Sequence, residues 1–253
     1  MIRKNCKEIK TDYIKMNDIT TKGAAKIKGL SIRILLIILF FATVCFMLYY
    51  ITDEVVLENE TSFDTRVFAF LNFSSHPQLR TVMLFFTFFG SSNFLLPAYI
   101  LLGALYFFKR ENRQRSLNIA AVGITSAGLL FSLKFIFRRA RPVEQMLKNV
   151  AGYSYPSGHS FSSFTFCGIL IFLIWKSDKI SKPVKWLLSM LLFAFAAMVA
   201  LSRVYFHVHY PTDVIAGFLL SIVWLTICYF LLEKWNVIQK IPGIFSSAKT
   251  PAD

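Results

Sequence analysis

Apolar runs long enough to cross a bilayer alternate along the chain with short polar, mostly basic segments. Ile32–Ile51 is the first run, and about twenty apolar residues suffice for one helical crossing. Asp53–Arg80 then changes sign, because Asp53, Glu54, Glu58, Glu60 and Asp64 outweigh Arg66 and Arg80. Within it Phe63, Val67, Phe70 and Leu71 recur at helical spacing. That predicts a short amphipathic helix, lying in the membrane interface or packed as a cover on the other helices. Thr81–Phe108 is apolar but broken by Gly90, Ser91, Ser92 and Asn93. It is long for one untilted helix and short for two, so a re-entrant or surface start and one span from about Asn93 to Phe108 are expected. Leu117–Phe137, Phe161–Trp175, Trp186–Leu201 and Val214–Leu232 complete six spans.

The basic segments orient these spans. Lys109, Arg110, Arg113 and Arg115 follow the second, Lys176, Lys179, Lys182 and Lys185 follow the fourth, and Lys234 and Lys240 follow the sixth. All are satisfied by cytoplasmic loops with both termini inside. Residues 1–30 form a basic cytoplasmic arm (Arg3, Lys4, Lys7, Lys10, Lys15, Lys22, Lys26 and Lys28), 31–235 the six-span domain, and 236–253 a cytoplasmic tail. The arm is too long for a signal peptide and no small-residue cleavage site follows the first run, so an uncleaved anchor is expected. The fold class is therefore an all-α, polytopic membrane protein.

Composition supports this class: 55% of the 253 residues are hydrophobic, 27 are Phe, and only 17% are charged. The net charge of +14 lies mostly between the apolar runs, which points to solvated loops and anionic headgroups rather than to nucleic acid. Cys6, Cys45, Cys167 and Cys228 are spread over the arm and three spans, with no pairing that suggests a disulfide or metal site.

One basic segment defies the orientation. Arg138, Arg139 and Arg141 lie between the third and fourth spans, on the expected outer side. Charge held against the topology rule calls for a bound anion. Lys134 and Arg141 are seven residues apart, two helical turns, so both can point one way before Pro142 stops the helix. Ser157 can cap the next helix, whose free N–H groups and dipole favour an anion beside Gly158 and His159. Ser202 and Arg203 end the fifth span, and His209 and Asp213 stand just before the sixth. The topology brings all of these to one membrane face. Arg138 and Arg139 are expected to meet lipid phosphates. His207 and His76 are expected to be structural or surface residues, and Gly168, Gly217 and Ser221 helix-packing positions. A metal held by the two histidines and Asp213 is a minority alternative, since no further carboxylate or cysteine completes a site.

Residues 134–142 read KFIFRRARP, 156–159 read PSGH, and 202–213 read SRVYFHVHYPTD. These match the KxxxxxxRP, PSGH and SRxxxxxHxxxD signatures without a departure. The chain thus resembles the type 2 phosphatidic acid phosphatase (PAP2) family, related to bacterial acid phosphatases and vanadium haloperoxidases. The resemblance covers roughly Phe63 to Leu232 and leaves the basic arm outside. It implies a lipid phosphate phosphatase needing no metal or other cofactor. His209 would be the nucleophile, Asp213 its orienter, and His159 the general acid and then base. Lys134, Arg141, Ser157, Gly158 and Arg203 would hold the phosphate. An outer-leaflet substrate that a six-span bacterial enzyme of this size could recycle suggests undecaprenyl diphosphate first. Phosphatidylglycerophosphate, phosphatidate and lipid A phosphates are the rivals. A non-catalytic lipid-binding or transport protein on the same fold is the alternative class. The complete His209, Asp213 and His159 set argues against it, because binding alone requires no nucleophile.

Overall fold

The computed structural model describes residue 32 and residues 34–58, 61–71, 77–108, 113–148 and 150–239. The basic arm, His76, Lys109, Arg110, Lys240 and the end of the tail lie outside these residues. The chain divides into two compact units, Met1–Phe46 and Met47–Asp253. Helix α1 (Ile34–Leu57) is the first candidate span. In the first unit its large side chains, from Ile34 to Phe40, are exposed, as expected of a helix facing lipid.

In the second unit α1 ends in a π-wound turn, Ile51–Leu57. The helices that follow are α2 (Ser62–Leu71), α3 (Pro77–Phe89), α4 (Ser92–Phe107), α5 (Arg113–Phe137), α6 (Gly158–Trp175), α7 (Lys182–Tyr205) and α8 (Pro211–Gln239). Among the described residues five helices, α1 and α5 to α8, are long and apolar enough to cross a membrane, and the pair α3–α4 makes a sixth candidate. That pair bends by 45° at Gly90 and Ser91. The break falls where the sequence places it; the stretch before it is a regular helix packed on α7, and the bent pair fits a broken span or a re-entrant segment.

Helix α6 packs chiefly on α7 and α8, and α4 on α5. The lipid-facing sides are apolar: Ile124, Phe131 and Ile136 of α5 are well exposed. The helix contacts use small and polar groups, as packing within a bilayer requires. Ser116 Oγ donates to Gly103 O (2.8 Å) between α5 and α4, and Trp224 Nε1 donates to Ser126 Oγ (2.9 Å) between α8 and α5. Gly217 has no room for a side chain, since a Cβ there would lie 2.8 Å from Ser157 O. That close approach brings the start of α8 against the start of α6. Ser160 Oγ donates to Val214 O (2.7 Å) and Ser157 N to Asp213 O (3.0 Å), which locks the two helix starts together.

Helix α2 forms where the apolar spacing predicts one, but Phe63 and Phe70 on its apolar stripe face outward. Its buried residue is Asp64, which is 1% exposed. The helix packs on α8 through that face.

Candidate active site

The ends of α5 and α7 and the starts of α6 and α8 lie at one end of the helices, because consecutive spans alternate in direction. Lys134, His159, Arg203 and Asp213 therefore meet, joined by Arg141 and His209 from the connecting segments. Lys134 feels the charges of Arg141, Asp213 and Arg203, and His159 those of Arg203, His209, Arg141 and Lys134.

The route taken by Arg141 differs from the expected one. Helix α5 ends at Phe137, and Arg138 turns the chain with φ of +48°. Arg141 thus reaches the site from a loop rather than from two turns further along the helix. Backbone carbonyls fix it: Nε donates to Gly152 O (2.9 Å), Nη1 to Val208 O (2.7 Å) and Nη2 to Ala151 O (3.2 Å). Lys134 Nζ donates to Tyr153 O (2.7 Å) and Ser154 O (3.3 Å), so the same segment positions both cations.

His209 is buried. Its Nε2 lies 3.1 Å from Arg141 Nη1. A guanidinium has only donors, so Nε2 must present a lone pair and the ring proton must sit on Nδ1. Nδ1 lies 3.4 Å from both Asp213 Oδ2 and Ser154 Oγ. Asp213 Oδ2 also accepts from Ser154 Oγ and from Tyr210 N (3.0 Å). Burial lowers the His209 pKa to about 4, against the hydrogen bond and charge of Asp213, which favour the imidazolium. The ring is neutral at physiological pH, with a directed lone pair on Nε2 and a carboxylate behind Nδ1. This is the arrangement of an oriented nitrogen nucleophile.

Ser157 is the N-cap of α6, and its side chain accepts from Ser160 N (3.5 Å). Gly158 lies under Lys134, whose Cε would be 3.8 Å from a Cβ there. His159 packs against the α3–α4 break: a Cβ on Gly90 would meet His159 Cδ2 at 2.7 Å. Arg203 Nη1 donates to Thr87 Oγ1, while its Nε is buried with no hydrogen-bond partner among the described residues. Such a buried donor is costly unless an anion or water satisfies it.

One expectation from the sequence changes, that for Arg139. Arg138 is exposed and stacks over Phe135 (4.4 Å). Arg139 does not meet lipid phosphates: it is 7% exposed and pairs with Asp213 Oδ1 (2.7 Å) and Asp64 Oδ2 (2.9 Å). Burial pulls its pKa down, but Asp213 and Asp64 outweigh that and raise it. Behind the site lie further polar residues that the motifs do not specify: Asp64 and Ser154, outside them, and Thr212, at an unspecified position of the third. In the sequence Asp64 stands out only as an acidic residue at helical spacing from Val67 and Leu71. His207 turns with φ of +52°, placing its ring on Phe68 (4.5 Å), in line with the structural role expected of it.

Known membrane phosphatases share this fold and part of this sequence. Residues 116–236 match the PAP2 superfamily. Phosphatidylglycerophosphatase B of Bacillus subtilis is 33% identical over 160 residues, 63% of this chain and 76% of the relative. An undecaprenyl-diphosphatase of Sulfolobus acidocaldarius is 28% identical over 190 residues, 73% of this chain and 85% of the relative. The crystal structure of a transmembrane PAP2 type phosphatidylglycerolphosphate phosphatase from Bacillus subtilis superposes with a TM-score of 0.62 and 28% identity, covering 81% of this chain and 96% of that one. The chain belongs to the PAP2 superfamily and is a multi-pass membrane phosphatase of the lipid phosphate branch.

Proposed function

We propose that the protein hydrolyses a lipid diphosphate or phosphomonoester through a phosphohistidine on His209. The observation that carries this is the Nε2 lone pair of a buried, neutral His209, set between Arg141 and the Asp213 carboxylate. Nε2 forms the bond to phosphorus as the bond to the leaving oxygen breaks. His159 gives that oxygen its proton. Asp213 holds the Nδ1 proton and balances the positive charge that develops on the ring. His159 then takes a proton from water, which attacks phosphorus, breaks the N–P bond and releases inorganic phosphate. Lys134, Arg141 and Arg203 hold the equatorial oxygens with the Ser157 hydroxyl and the Gly158 N–H. Placement and charge neutralisation of this kind supply most of the catalysis of phosphoryl transfer. Three cations do the work that a metal would otherwise do, so the reaction needs none.

Undecaprenyl diphosphate is the preferred substrate, supported by the archaeal relative's named activity and by its fit to an outer-face site. Phosphatidylglycerophosphate is the second reading, favoured by the names of the Bacillus subtilis relatives. The active site faces the extracytoplasmic side, with both termini in the cytoplasm, on the strength of the basic segments after the second, fourth and sixth spans. The catalytic domain is taken as residues 31–235. Phosphate release by the purified protein from undecaprenyl diphosphate, phosphatidylglycerophosphate, phosphatidate and lipid A phosphate tests the assignment. The highest kcat/KM is expected for undecaprenyl diphosphate, and a higher value for phosphatidylglycerophosphate would replace it.

A further inference from the structure

Asp213 uses its two oxygens for different purposes. Oδ2 serves the site, through His209, Ser154 and Tyr210 N. Oδ1 faces away from it and accepts from Arg139 Nη1 at 2.7 Å. Arg139 continues the chain of contacts: Nη2 donates to Asp64 Oδ2 (2.9 Å), and the guanidinium stacks over the Tyr210 ring (4.1 Å). Asp64 then returns to the start of α8. Its Oδ1 accepts from Thr212 N (2.9 Å) and its Oδ2 from Thr212 Oγ1 (2.7 Å). Thr212 Oγ1 in turn accepts from Arg139 Nη1 (3.0 Å). Asp64, Arg139, Thr212 and Asp213 are all buried.

Two features of this closed circuit bear on catalysis. The first is geometric. A carboxylate hydrogen-bonded on Oδ2 alone could swing about its χ angles, whereas Arg139 on Oδ1 removes that freedom and aims Oδ2 at His209 Nδ1. The second is electrostatic. Arg139 alone would cancel the charge of Asp213, leaving little to support an imidazolium. Asp64 shares the guanidinium, so the trio of Asp64, Arg139 and Asp213 keeps one net negative charge facing His209. The other groups facing that ring are Arg141, Lys134, His159 and the neutral Ser154, so this carboxylate is the only negative charge among them. Both terminal nitrogens of the buried Arg139 are taken by Asp213, Thr212 and Asp64, so the guanidinium is engaged behind the site rather than offered to phosphate.

We infer that Asp64 and Arg139 are positioning residues for the His209 nucleophile: the buried Asp64–Arg139 pair fixes the Asp213 carboxylate and preserves its charge. The inference rests on the reading of His209 as the nucleophile. It also gives α2 a task, since this surface helix carries Asp64 into the network while Phe63 and Phe70 stay outside.

The test uses the full chain in lipid nanodiscs and a short-chain lipid phosphate, with rapid-quench measurement of phosphoenzyme and pH profiles of kcat/KM. Wild type and His209→Ala come first, and a wild type that forms no phosphoenzyme overturns the nucleophile reading and the inference with it. Given a wild-type phosphoenzyme that His209→Ala abolishes, Arg139→Gln should slow its formation about a hundredfold, the usual cost of a misplaced catalytic group, with KM little changed. Arg139→Lys should recover part of the rate, because the charge remains but the two-pronged geometry does not. Asp64→Asn should shift the acid limb of kcat/KM to lower pH, because Arg139 then cancels more of the Asp213 charge and His209 becomes less basic. A merely structural role would leave that limb in place. Should Arg139→Gln fail to fold, the Asp64→Asn/Arg139→Gln double variant replaces it, since its two amides can bond each other. It too should fold and phosphorylate slowly. Folded variants that form phosphoenzyme at the wild-type rate with an unmoved acid limb overturn the inference.

Discussion

Arg141 Nη1 stands 3.1 Å from His209 Nε2, and this one approach determines which nitrogen of the ring can react. A cation that cannot accept a hydrogen bond forces the lone pair to its side of the imidazole. The same cation belongs to the set proposed to hold the phosphate, which would bring the substrate and the reactive nitrogen to one place. Arg141→Lys should therefore weaken both functions. A drop of about a hundredfold in kcat/KM is expected, as for loss of one preorganised donor, with a rise in KM. Steady-state kinetics on a soluble short-chain lipid phosphate measure both, and an unchanged KM would remove Arg141 from the phosphate site.

The pH profile follows from the burial of His209. Its pKa is lowered to about 4, below the ordinary value of about 6.5. The nucleophile is therefore neutral at about pH 5.5, where a free histidine would be mostly protonated. The acid limb of kcat/KM should lie near pH 4 rather than near neutrality. The stability consequence has a definite sign. Between about 6.5 and about 4 the unfolded chain binds a proton that the folded chain refuses, so this residue destabilises the fold as pH falls through that window. An acid limb near neutrality would show that the ring is accessible to water.

Gly90 makes room for His159. A Cβ there would lie 2.5 Å from Val199 Cγ1 and 2.7 Å from His159 Cδ2. Gly90→Ala must push one of them aside, at a cost of about 1–3 kcal/mol for overpacking. Turnover should fall because His159, the proposed general acid, is displaced. Thermal unfolding in detergent together with turnover checks this, and full activity with unchanged stability would mean that the break relaxes freely.

The charge of the site predicts its response to metals and to oxyanions. Activity should survive strong chelators, and vanadate should inhibit, since it adopts the five-coordinate geometry of the transferring group. Loss of activity in chelator, restored by a divalent ion, would instead make His209 and Asp213 metal ligands.

Much of the site was legible because its parts are local. Lys134, Arg141, Ser157, Gly158, His159, Arg203, His209 and Asp213 fall in three short motifs at helix ends, and alternating spans bring helix ends together. The Asp64–Arg139 pair was not legible, because the partners lie 75 residues apart and neither shows its partner in its own neighbourhood. The stripe of Phe63, Val67 and Phe70 predicts the α2 helix correctly but leaves open which face packs on the other helices. In a membrane protein the apolar face turns toward lipid as readily as toward other helices. The expected continuous helix from Lys134 to Arg141 failed for a local reason: the chain breaks at Arg138, before the proline.

The most direct test of the account is the phosphoenzyme itself. A short pulse of a radiolabelled lipid phosphate, quenched in alkali and mapped by peptide, should place an acid-labile phosphate on His209. His209→Ala should carry none, and His159→Ala should accumulate it from a substrate whose leaving group needs no proton, because the same imidazole is required to activate water. General acid–base assistance is worth about a hundredfold to ten-thousandfold, enough to make the trapped species visible. Label that persists in His209→Ala, or that maps to His159, would contradict the assignment of His209 as the nucleophile.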